Sequence, residues 1–130
     1  MLSNCSLGIS FISAGFPSPA EDFSESSISL DKHLIKHPSA TFMAYANGNS
    51  MVGVGIHHGD ILIIDRSLKA GDGDIIIAIL HGEFIVKEVS INDDDFFLLP
   101  RNPKYEFIKI TPEMEFEIWG IVTHSIRRHK

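Results

Sequence analysis

"DILIIDRSLKAGDGDIIIAILHGEFIVKEV", residues 60–89, decides the fold. Its two apolar runs, "ILII" (61–64) and "IIIAIL" (75–80), are unbroken, rich in β-branched side chains and shorter than ordinary helices. Each is bounded by turn-forming residues, so both read as strands covered on both faces rather than one. His81-Gly82 then joins the second run to "EFIVKEV" as a tight hairpin. Working outward, "TFMAYA" (41–46), "FFLLP" (96–100) and "FEIWGIVTHSI" (116–126) repeat the same chemistry between Gly, Asp, Asn and Pro, and "INDDDFF" (91–97) supplies a second reversal. The expected fold is mainly β: a compact curved sheet or small barrel-like domain, with at most one short helix. That helix is placed in "SLDKHLIKHP" (29–38), with Ser29 as cap, Leu30, Leu34 and Ile35 at helical spacing and Pro38 as stop.

The organisation is one domain behind an arm. Residues 1–28 are rich in serine, carry Pro17 and Pro19, and hold too few apolar side chains for a stable element, so they read as a flexible N-terminal arm. Residues 29–130 form the β domain. A chain of 130 residues, 44% hydrophobic and 22% charged, has the composition of a soluble globular protein with a single core. Its net charge is −6, and apart from "RRHK" (127–130) its positive charges are scattered, which argues against direct nucleic-acid binding. Cys5 stands alone and forms no internal disulfide. With no basic start to a secretory signal and no run of membrane-spanning length, a cytoplasmic location and no membrane contact are expected.

Two positions carry chemistry. Ser50 lies in "GNSMVG" (48–53), where a sharp turn leaves the backbone N–H groups of Asn49 and Ser50 free to point outward as an oxyanion hole. The segment is not the G-x-S-x-G elbow of α/β-hydrolases. Lys87 shares a strand face with Ile85 and Val89, while Phe84, Val86 and Glu88 point to the other face. An ammonium held against aliphatic neighbours loses hydration and its pKa falls from about 10.4, by up to roughly 3–5 units on complete burial, which brings a neutral amine within reach near pH 7. The residues alone leave other readings open: a serine in a glycine-rich turn serves as a turn residue, and a lysine packs its stem while its head reaches water.

Other signals are weaker. His57 and His58 are adjacent and lack further ligands at metal spacing; "DGD" (72–74) and "NDDD" (92–95) do not complete a calcium loop. No metal or cofactor is expected. Phe116, Ile118 and Trp119 read as core or dimer surface.

Taken together, "AGFPSPAEDF" (14–23), "HPSATF" (37–42), "GNSM" (48–51), "GDILIIDRSLKAGDGDIIIA" (59–78), "GEFIVKEV" (82–89) and "EIWGIVTHSI" (117–126) resemble the LexA/UmuD-like self-cleaving Ser-Lys proteases of the bacterial SOS response. The likeness covers nearly the whole chain, in order. It implies Ser50 as nucleophile, Lys87 as general base and the Ala14–Gly15 peptide as the bond cut. It also implies a homodimer, a RecA filament as co-protease, and a shortened product that joins an error-prone DNA polymerase. Nothing before residue 29 reads as a helix-turn-helix, so the repressor activity of LexA-type relatives is not expected. Two residues depart from the pattern: Asn49 stands where Asp is usual, and Glu88 where a second basic residue is frequent. Pointing to the other sheet face, Glu88 is expected to influence the base little. The competing classes are a non-enzymatic dimeric adaptor and a signal-peptidase-like enzyme acting on other chains; the second is weakened by the lack of an anchor.

Overall fold

The computed structural model describes residues 29–130; the arm and the Ala14–Gly15 bond lie outside them. The sheet and the cleft described below belong to one compact unit, His37–Lys130. Ahead of it, α1 (Leu30–Leu34) is a single five-residue helix, capped by the Ser29 hydroxyl, which accepts from the Lys32 N–H at 3.4 Å.

Seven strands follow: β1 (Thr41–Tyr45), β2 (Ile61–Asp65), β3 (Ile75–Leu80), β4 (Glu83–Asn92), β5 (Asp95–Leu99), β6 (Ile108–Lys109) and β7 (Phe116–Ile126). They form one antiparallel sheet in the order β1-β2-β7-β3-β4-β5-β6. The mainly β expectation holds, and the strands fall where the apolar runs stand. Both short reversals are present: His81 and Gly82 take φ of 50° and 84°, the pair of positive values a two-residue hairpin turn requires, and Asp93 takes 56° in the turn between β4 and β5.

Burial explains the unbroken apolar runs. Along β3, Ile77, with the partly buried Ile75, packs into one core cluster with Ala46, Met51, Ile56, Leu62 and Ile64, while Ile76 and Ala78 pack into a second with Val89, Leu98 and Ile121. Alternate side chains of one strand therefore enter cores on opposite faces, which a strand can do only if both faces are covered. The second cluster draws nearly all its members from β3, β4, β5, β6 and β7, so the sheet must curl to enclose it.

Two bulges in β7 shape the sheet further. Its register slips against β3 between Ile77 and Ala78, so Trp119 has no partner across the ladder, and against β2 between Ile63 and Ile64, which leaves Thr123 extra. A bulge re-aims its side chain. Trp119 packs against Phe42 at 5.4 Å and Phe84 at 5.8 Å between ring centroids, with the Arg66 guanidinium 4.4 Å from its own ring.

Candidate active site

The turn that carries Ser50 is anchored at both ends. Ala46 and Met51 are buried in the first cluster, while residues 47–49 between them are exposed. The Ala46 N–H donates to the Asp60 carbonyl and the Gly59 N–H to the Ala46 carbonyl, both at 2.8 Å, which ties the turn to the loop ahead of β2. His58 adds a side-chain link: its Nδ1 accepts from the Gly48 N–H at 3.0 Å, so that nitrogen carries no proton in this contact.

Among the described residues, the N–H groups of Asn49 and Ser50 donate to no acceptor. The turn is held instead by its carbonyls. The Ser50 carbonyl accepts from the Arg101 N–H at 2.6 Å, and the Asn49 carbonyl accepts from Asn102 Nδ2 at 2.8 Å. Two donors beside the candidate nucleophile thus have no acceptor among the described residues.

Lys87 sits on β4, half-buried, between Ile85 and the fully buried Val89 on its strand face. Loss of water around the ammonium pushes its pKa below the ordinary 10.5. Its Nζ lies 5.7 Å from the centroid of the Tyr105 ring. Ser50 and Lys87 line one cleft of about 580 Å³, together with Asn49, Tyr45, Tyr105 and, along its apolar wall, Phe84 and Trp119. Four consecutive residues of β4, Phe84 to Lys87, border this cleft, so it crosses the strand rather than lying on one face. Among the described residues no hydrogen bond joins the Ser50 hydroxyl to Lys87 Nζ.

Alternation places Glu88 on the opposite face, as read from the sequence, but its role there was missed. Its carboxylate accepts from Arg101 Nε at 2.8 Å and Nη2 at 3.0 Å. Arg101 and Asn102, which hold the serine turn, also escaped notice, and His58 was weighed only as a metal ligand; the Asn-Pro pair at 102–103 marks a turn but does not say what it touches. No group of three or more metal-ligating side chains occurs among the described residues, and no helix there is long and apolar enough to cross a membrane.

Residues 7–123 match the Peptidase S24-like family. The chain belongs to that family. It is similar to Protein MucA of Salmonella typhimurium, 43% identical over 91% of this chain and 81% of MucA, and to Protein SamA of the same species, 43% identical over 88% and 79%. LexA repressor 2 of Pseudomonas syringae pv. tomato is 38% identical over 67% of this chain but only 43% of its own length. The family is of serine peptidase type, and the UmuD-like relatives carry the likeness across most of the chain.

Proposed function

We propose that this protein is a self-cleaving serine endopeptidase that removes its own arm at Ala14–Gly15, with Ser50 as nucleophile and Lys87 as general base. The observation that carries this reading is that a desolvated lysine and a serine, beside two N–H groups with no acceptor among the described residues, line one cleft of a peptidase-family chain.

Neutral Lys87 Nζ takes the proton from Ser50 Oγ as Oγ attacks the Ala14 carbonyl carbon. The N–H groups of Asn49 and Ser50 receive the oxyanion that develops, an arrangement in which one donor contributes about 10²–10³-fold in rate. As the C–N bond breaks, the protonated lysine returns its proton to the Gly15 nitrogen, leaving Ala14 esterified to Ser50. Lys87 then deprotonates a water that releases residues 1–14 and regenerates the serine. Because the arm is tethered, or held by a partner subunit of a homodimer, weak docking suffices.

The family likeness extends the proposal to the cell. A RecA filament promotes the cut, and residues 15–130 then serve as accessory subunit of an error-prone translesion polymerase in the cytoplasm. The test is mass spectrometry of purified full-length protein against pH. Loss of residues 1–14 should quicken as pH rises and vanish in Ser50→Ala and Lys87→Ala. A chain that stays whole at alkaline pH would instead be a non-enzymatic adaptor, and cutting that persists in either variant rejects the dyad.

A further inference from the structure

The peptide planes on both sides of Ser50 are fixed by one short segment. A peptide unit is planar, with its C=O and N–H pointing in opposite directions. The bond from Asn102 Nδ2 to the Asn49 carbonyl therefore also sets where the Ser50 N–H points, and the bond from the Arg101 N–H to the Ser50 carbonyl fixes the next plane. Asn102 cannot turn its amide freely: its Oδ1 accepts from the Lys104 N–H at 3.0 Å, which leaves Nδ2 facing Asn49. A third bond, from the Gly53 N–H to the Arg101 carbonyl at 2.6 Å, draws the two segments so close that a Cβ at position 53 would stand 2.5 Å from that oxygen.

Beyond the β4–β5 ladder, which pairs Glu88 with Leu99, the two-pronged contact of Arg101 with Glu88 ties the segment to β4. Glu88 is mostly buried, and it directly follows Lys87 on β4. The strand carrying the lysine and the turn carrying the serine are thus linked through one ion pair and one pair of backbone bonds.

We infer that Arg101 and Asn102 are positioning residues for the Ser50 turn, and that the Glu88–Arg101 pair locks them to the strand of Lys87. The inference rests on the Ser50–Lys87 reading above for its catalytic consequence, while the lock itself is a matter of geometry. A merely structural bridge on the surface would change the melting temperature a little and the chemistry not at all. A positioning device lowers the rate without moving the pH at which the lysine deprotonates.

The experiment follows self-cleavage of the full chain against pH, with melting temperature, in the wild type, Asn102→Ala, Arg101→Ala, Glu88→Ala and the exchanged pair Glu88→Arg/Arg101→Glu. In parallel, amide hydrogen exchange at Gly53 is measured with and without Arg101→Ala in a Ser50→Ala background that cannot cut. The single variants should be slower by about tenfold or more, as expected for a displaced reacting group, with an unchanged pH midpoint. The exchanged pair should recover most of the rate, and Gly53 exchange should quicken when Arg101 is truncated. Should Arg101→Ala fail to fold, Arg101→Lys keeps the charge, loses the two-pronged contact and should show the same slowing. Wild-type rates in the single variants, an exchanged pair as slow as they are, or unchanged exchange at Gly53 each overturn the inference. A wild-type chain that never cuts refutes the protease reading instead, and the exchange data then judge the lock alone.

Discussion

Lys87 faces Ile76 directly across the β3–β4 ladder, and Ile76 is completely buried. The stem of the lysine therefore lies against the second core, and this burial disfavours the charged form of the amine.

This has a consequence for stability. With the pKa of Lys87 lowered in the folded state, the unfolded chain binds more protons between that value and the ordinary 10.5, so stability rises with pH across this window and the penalty is fully present below it. Lys87→Met, which keeps the stem and removes the charge, should raise the melting temperature by a few degrees at pH 7 while abolishing cleavage. Thermal melts at pH 7 and pH 10 check it: the advantage of methionine should shrink at the higher pH, and a constant or reversed difference contradicts the desolvation argument.

Asp65 behaves in the opposite sense. Hydrogen bonds from the Ser67 hydroxyl at 2.6 Å, then from His37 Nδ1 at 2.6 Å, hold its carboxyl down at about 2 against an ordinary 3.8. A depressed carboxylate stabilises the fold fully above the unfolded value and loses that contribution as pH falls from about 3.8 through about 2. Ser67→Ala should therefore lower the urea midpoint at pH 5 more than at pH 2. Equal losses at both would show that the hydroxyl acts by packing alone.

Arg127 secures the loop that follows the serine turn. Its guanidinium reaches both carboxylate oxygens of buried Asp60 at 3.1 Å and the Gly55 carbonyl at 3.0 Å, and it also contacts His57 Nδ1. Removing Arg127 leaves the buried Asp60 carboxylate with only the His57 N–H at 2.8 Å, and because the guanidinium itself is partly exposed, Arg127→Ala should cost about 1–2 kcal/mol in urea unfolding. Adding Asp60→Asn should recover part of that loss; strict additivity would mean the two side chains do not interact.

Trp119 forms a wall of the cleft with Phe42, Phe84 and Arg66 around it. Trp119→Ala should destabilise by about 2 kcal/mol, less than for a fully buried tryptophan because the ring is only partly covered. Tryptophan fluorescence, from the single indole of this chain, offers the companion measurement: its emission should shift when an apolar peptide enters the cleft.

Much of this was legible in the sequence, for physical reasons. The runs at 61–64 and 75–80 could be read as doubly covered strands because composition alone reports that no side of them meets water. The turns at His81-Gly82 and Asp93 were legible because positive φ demands particular residues. The two residues of β6 were missed, being too few to show alternation. The likeness to a family pointed to Ser50 and Lys87, whereas the bonds of Arg101 and Asn102 were hidden, since they run to the Ser50 turn and to Glu88, groups brought near only when the sheet has folded. Glu88 was read correctly for direction and incompletely for partner.

The sheet ends at β6, paired with β5 at only two positions. Rungs at such an edge detach at a far smaller cost than the interior ladders, in the manner of a local opening that leaves the remainder intact. The segment bearing Arg101 and Asn102 runs from β5 toward that edge, so a rung lost there frees one flank of the segment whose hydrogen bonds hold the Ser50 turn.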